Sequence, residues 1–256
     1  MSNVEAQTWQ QFAANEGMGP IHALENKCWA PWLAASPESM DGRAETFPDG
    51  QVCLTIDGTL MATLSANRIN WDGKLESLPT WDEVAGEPTD YSKTYQPNGN
   101  SLVLMSMNVD PAARGLQLPK LLIAKLLGYA SIQGIEHVIG SFRPSAYGKA
   151  VLAAVNEGGK LPPFETYCSS TDDHGNYIDP WLRALARNGM TPIAIDSKAM
   201  QVSLSAEEFE GVKQHSWQQI ELDGVTIWCP DETGVFYQRP DGSYLYKEIN
   251  LWGKLV

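Results

Sequence analysis

Apolar positions along this 256-residue chain change their period several times, and each change marks an element. Residues 3–35 carry a helical spacing that breaks at Gly-Met-Gly-Pro, residues 17–20, so helices are expected there. The apolar, aromatic run Trp-Ala-Pro-Trp-Leu at residues 29–33 reads as a helix capping the core. Gln51 to Ile56 and Thr59 to Ile69 are strand-like runs joined by Asp57-Gly58, which predicts a β-hairpin. Residues 70–100 are polar and rich in Pro and Gly; they read as a long loop with one short helix at residues 80–86. Ser101 to Val109 is a strong strand pattern. Leu118, Leu121, Leu122, Leu126 and Tyr129 then recur at helical spacing until Gly134.

A strand at residues 136–142 and a helix at residues 146–155 follow. Asp179, Pro180 and Gly189 bracket a further helix as N-cap, first-turn proline and C-cap. A short strand is expected at residues 191–196, and three more at residues 224–230, 234–240 and 242–252. The last, alternating and aromatic, reads as a sheet edge or a dimer contact, which would make a homodimer. The order predicts an α/β (α+β) chain: a mixed central sheet flanked by helices, with a C-terminal β-rich extension. The expected organisation is one domain over residues 1–200, its core at about residues 47–157, with residues 201–256 packed on it.

Composition narrows the function classes. The formal net charge is −13, so the bulk of the surface offers nothing to neutralise nucleic-acid phosphates or bind an anionic membrane. Cys28, Cys53, Cys168 and Cys229 are too widely spaced for a metal site or a dense disulfide framework and read as free thiols. The N-terminus lacks a basic start followed by an apolar run, and no uncharged apolar stretch reaches about 18 residues; a cytoplasmic location is expected. Metalloprotease, nucleophile-elbow and phosphate-loop lysine motifs are absent.

Candidate chemistry gathers at residues 108–127, Asn-Val-Asp-Pro-Ala-Ala-Arg-Gly-Leu-Gln-Leu-Pro-Lys-Leu-Leu-Ile-Ala-Lys-Leu-Leu. A strand ending in a tight turn that opens into a helix presents unpaired N–H groups at a positive dipole end, where a pyrophosphate fits. An ordinary strand-to-helix turn would have the same outline.

This stretch resembles the acyl-CoA-binding motif of the GNAT (GCN5-related N-acetyltransferase) superfamily, in which a strand runs through V-x-P-x-x-R-G-x-G-x-G/A into a helix. The resemblance covers roughly residues 47–157 and implies the GNAT fold, with acetyl-CoA or another acyl-CoA as cofactor. Carried over, it implies that Met107, Asn108 and Val109 lie along the pantetheine arm, with main-chain groups of Met107 and Val109 facing it. Arg114, Gly115, Leu116, Gln117, Leu118 and Pro119 would form the pyrophosphate turn. Gln117 stands where the superfamily usually has Gly, and Pro119, without an N–H, where it has Gly or Ala. These departures either weaken CoA binding or suit a phosphopantetheine carried on a protein.

The strand before the turn holds no acid to deprotonate an amine, and Glu136 on the next strand does not match the usual place. Tyr147 is a candidate proton donor to a leaving thiolate, or a packing residue. Residues 141–149 and 171–189 resemble a GNAT-like subset that includes polyketide loading domains, some of which decarboxylate malonyl-CoA and pass acetyl to a carrier-protein thiol. That chemistry needs donors to a carboxylate and an enolate. Arg143, Ser145, Thr166 and His174 are the candidates, with Arg143 equally suited to a structural ion pair and His174 to a solvated loop. Related sequences often carry a histidine where this chain has Leu185. Three readings follow: an acyltransferase acting on a small-molecule or carrier-bound acceptor, a malonyl decarboxylase and S-acetyltransferase partnered by an acyl carrier protein, and a non-catalytic CoA- or partner-binding fold.

Overall fold

The computed structural model describes residues 3–86, 91–158, 160–222 and 224–255. The chain forms two compact units, Met1–Gly140 with Lys254–Val256, and Ser141–Gly253.

The first unit opens with β1 (Val4–Thr8), then α1 (Trp9–Glu16), α2 (Gly19–Cys28) and α3 (Pro37–Thr46). β1 corrects the expectation of helix from residue 3. Its five residues pair antiparallel with Val52 to Ile56, and Thr8 ends the strand by becoming the N-cap of α1, so local spacing carried no trace of the partner. Residues 29–33 form turns instead of the expected helix, because Trp29 closes α2 in an extended conformation and Pro31 follows.

The hairpin stands where expected: β2 (Gln51–Ile56) and β3 (Thr59–Ile69) pair around Asp57 and Gly58, both at positive φ. Two short helices follow, α4 (Trp81–Ala85) and α5 (Tyr91–Thr94). β4 (Ser101–Val109) pairs antiparallel with β3 and parallel with β5 (His137–Phe142), and α6 (Leu118–Gln133) is the crossover between them. The sheet is therefore mixed.

Helices cover both faces. Cys53 lies in one cluster with Trp9, Phe12, Ile21, Met40 and Ala44 from α1 to α3. Leu54 points the opposite way, to the face where α6 packs on β2, β3 and β4 through Leu118, Leu122, Ile123 and Leu126. Leu121, expected on that stripe, is 43% exposed.

The second unit holds α7 (Tyr147–Asn156), α8 (Phe164–Ser169), α9 (Pro180–Arg187), β6 (Thr191–Leu204), α10 (Ala206–Val212), β7 (Gln218–Leu222), β8 (Val225–Cys229), β9 (Val235–Gln238) and β10 (Tyr244–Lys254). Asp179 caps α9 as expected, but Asn188 is its C-cap and Gly189 follows at φ 91°. β10 corrects the expected sheet edge. It is an interior strand that pairs with β9 and β6 and buries Tyr246, Glu248, Asn250 and Trp252. Phe209 of α10 fills the centre of an aromatic cluster with Trp217, Phe236 and Tyr244. Among the described residues no helix is long and apolar enough to cross a membrane.

Candidate acyl-CoA site

The turn between β4 and α6 leaves a gap in its own hydrogen bonding. Asp110 Oδ1 accepts from Ala112 N at 2.9 Å and starts a single helical turn over Pro111–Ala113. Ala113 N, Arg114 N and Leu116 N donate to carbonyls of the same turn, and Lys120 N and Leu121 N donate to Gln117 O. Gly115, Gln117 and Leu118 are left, and among the described residues their N–H groups have no hydrogen-bond partner. Three donors thus sit within four residues at the positive end of a 16-residue helix.

The backbone there is unusual. Gly115 has φ 87°, with nothing within 4 Å of where a Cβ would stand. Gln117 is left-handed at φ 56°, ψ 23°, a conformation that favours glycine. The place where the GNAT motif usually has Gly is thus one whose backbone asks for it. From Pro111 to Ile135 the chain carries Arg114, Lys120 and Lys125 and no acid, a locally basic segment in an acidic protein.

β4 supplies an open edge. It pairs with β5 only over Ser101–Leu104, and its register with β3 shifts between Ser65 and Ala66, which makes Met105 a bulge. Trp81 of α4 donates its Nε1–H to Met105 O at 2.9 Å and holds that bulge. Asp110 N donates to Met61 O on β3. By alternation the main-chain groups of Met107 and Val109 face away from β3, along the stretch β5 leaves unpaired.

The C-terminal half of α2 closes on this strand end. Lys27 Nζ pairs with both oxygens of Asp110, at 2.8 and 3.0 Å. Cys28 Sγ lies 3.6 Å from Val109 O, its thiol pushed above the usual range chiefly by burial. Asn108 is 1% exposed: its Nδ2 donates to Glu25 Oε2 at 2.6 Å and Thr63 Oγ1 at 3.1 Å, while its Oδ1 accepts from Trp29 Nε1 at 2.6 Å. Glu25, 3% exposed, accepts from Ala35 N through its other oxygen at 3.0 Å. Sequence reasoning missed Glu25, because one acid on an amphipathic helix carries no motif.

The structure thus brings Met107 to Pro119 together. The other five candidates, Arg143, Ser145, Tyr147, Thr166 and His174, belong to the second unit. Arg143 Nη2 donates to Glu232 at 3.0 Å and Glu248 at 2.8 Å, and Tyr246 OH also donates to Glu248, at 2.8 Å. Two carboxylates already surround that guanidinium, so a third anion would meet net negative charge; the geometry favours the structural ion pair. Ser145 and Thr166 are exposed. The Tyr147 hydroxyl donates to Pro162 O at 2.6 Å among Phe164 and Tyr167, and burial pushes it to about 12, a poor setting for a proton donor. His174 lies in an exposed loop whose turn is held by Asp172, which accepts from His174 N and Asn176 N. Asp179 caps α9 and also accepts from Ala146 N at 2.8 Å, which ties the α7 and α9 starts together. Trp181 is half-buried against Phe142, and Leu185 is fully buried. Among the described residues no three His, Cys, Asp or Glu side chains gather as metal ligands. All four cysteines are free.

No protein-family model matches the chain. Among curated proteins it is 22% identical over 191 residues to the uncharacterized N-acetyltransferase YkwB of Bacillus subtilis, covering 70% of this chain and 76% of that one. Among solved structures it is similar to the loading GNATL domain of CurA from Lyngbya majuscula, with TM-score 0.59, 20% identity and coverage of 77% and 88%. It is also similar to the GphF GNAT-like decarboxylase solved with isobutyryl-CoA, with TM-score 0.56, 21% identity and coverage of 99% and 100%. With its mixed sheet, parallel β4–β5 pair and α6 crossover, the chain has the fold of the GNAT superfamily.

Proposed function

We propose that this protein is an acyl-CoA-dependent acyltransferase of GNAT type, moving an acetyl or similar group to a small-molecule or carrier-bound acceptor. The observation that carries the reading is the coincidence of two features in the first unit. Among the described residues, three N–H groups at the start of α6 have no partner, and the edge of β4 that leads to them pairs with no strand beyond Leu104. Gly115, Gln117 and Leu118 would donate to the pyrophosphate, and Arg114 and Lys120 would add positive potential. Met107 and Val109 would pair with the amides of the pantetheine arm, which lays the thioester along β4 beside Asn108. Lys27 and Asp110 hold α2 against the end of β4.

A malonyl decarboxylase and S-acetyltransferase working with an acyl carrier protein is the second reading. Likeness to the CurA loading domain and the GphF decarboxylase favours it. Arg143 is then a brace, and the donors to the malonyl carboxylate are other groups.

Gly115→Asp tests the binding half. The new side chain meets no protein atom, but it puts an anion where the pyrophosphate is expected. Acetyl-CoA affinity measured by calorimetry should fall at least tenfold, about 1.4 kcal/mol. Unchanged affinity in a folded variant would remove the site. Mass analysis after incubation with acetyl-CoA or malonyl-CoA, with and without a phosphopantetheinylated carrier, separates the two chemistries.

A further inference from the structure

A transferase acting on an amine needs a base, and β4 carries none. The tertiary structure brings one to it from another element. We propose that Glu25 is the catalytic base that takes the proton of an amine acceptor, which makes the acceptor class a primary amine. The inference rests on the acyl-CoA reading above.

Glu25 is a buried carboxylate, and among the described residues no Lys, Arg or His stands within ion-pair distance of it. Such a charge is costly unless it is well solvated by donors or kept for chemistry. Its two donors, Ala35 N–H and Asn108 Nδ2–H, take one oxygen each. Each oxygen thus accepts one hydrogen bond and keeps a second lone pair for an incoming N–H. Asn108 is itself fixed by Trp29 and Thr63, so the carboxylate has a defined place beside the strand. One turn along α2, the Cys28 thiol reaches the Val109 carbonyl, and the Glu25 charge is among the causes that raise that thiol. The carboxylate therefore lies close to the part of β4 along which the thioester would run.

The step balances simply. Glu25 accepts the proton of the incoming ammonium, directly or through one water. The freed nitrogen lone pair attacks the acyl carbon, the C–N bond forms, the C–S bond breaks, and the nitrogen releases its second proton to solvent to give the neutral amide. CoA thiolate leaves and takes a proton from solvent, and Glu25 returns its proton to water.

Wild type and Glu25→Gln are compared with acetyl-CoA and two probe amines, n-propylamine and putrescine, by initial rates of CoA release from pH 7 to 10. Acetyl-CoA affinity is measured alongside by calorimetry, and folding by thermal melting. At pH 7 the variant should lose about 10²- to 10⁴-fold in kcat/KM for the amine. Its acetyl-CoA affinity should stay unchanged. The deficit should close toward an amine pKa of about 10.4, where neutral amine needs no base. A deficit equal at every pH would make Glu25 structural, and no deficit would make it idle. Wild type that binds acetyl-CoA but acylates neither amine would also overturn the inference. Wild type that fails to bind acetyl-CoA would overturn the acyl-CoA reading, and this inference with it.

Discussion

Gln117 offers a clean test, because its backbone conformation and its place in the turn argue in the same direction. An L-residue at φ 56°, ψ 23° costs about 1–2 kcal/mol relative to right-handed conformations. Its side chain caps nothing, is exposed, and makes no hydrogen bond among the described residues, so truncation removes no contact. The carbonyl that accepts from Lys120 N and Leu121 N remains in Gln117→Gly. Glycine gives back about 0.5–1 kcal/mol in unfolded-chain entropy. The net gain is about 0.5–1 kcal/mol, or a rise of about 1–4 °C in Tm for a unit of this size. Gly115→Ala is the matched control: φ 87° disfavours a Cβ although space is open, so its Tm should fall. Calorimetric melting of the three proteins, with acetyl-CoA titration of each, makes the measurement. Gln117→Gly should also bind acetyl-CoA more tightly, by up to tenfold, since the backbone can then approach phosphate closely. A lower Tm for Gln117→Gly, or shifts of the same sign in both variants, would show that Gln117 is not strained.

Arg143→Met should cost about 3–5 kcal/mol, because it leaves Glu232 and Glu248 facing each other without their cation. Burial raises the Glu232 carboxyl and Arg143 opposes that rise. A raised carboxyl stabilises the fold fully below the ordinary carboxylate range and loses that contribution as pH rises through its folded value. The deficit in Tm should therefore be smaller at pH 5 than at pH 8, and a pH-independent deficit would refute the ion-pair account. Among the cysteines only Cys28 is exposed, while burial pushes Cys53 and Cys168 to about 12 and Cys229 to about 11. Iodoacetamide at pH 8 should label Cys28 alone, slowly, and acetyl-CoA should slow it further; mass mapping that finds another labelled cysteine, or no protection, would contradict the placement.

Sequence by itself determined the elements whose signals are local. The 57–58 turn, the Ser101–Val109 strand, the helix from Leu118 to its stop at Gly134, and the Asp179 cap all depend on residues within a few positions of one another. The turn between β4 and α6, proposed to hold the pyrophosphate, was legible for the same reason, down to the oddity of Gln117. Tertiary structure alone decided what depends on a partner far along the chain. Val4–Thr8 is a strand because Val52 to Ile56 supplies its ladder, and residues 242–252 lie inside a sheet because β6 and β9 reach them. Arg143 suited an acyl carboxylate and a structural ion pair equally in sequence, and only the fold brings Glu232 and Glu248, 89 and 105 residues away, to its guanidinium. Glu25 and Asn108, 83 residues apart, meet at 2.6 Å only after α2 packs on β4. Hydrogen bonds and charges act over a few ångströms, and sequence shows such a pair only when chain neighbours form it; helix packing and strand pairing decide the rest.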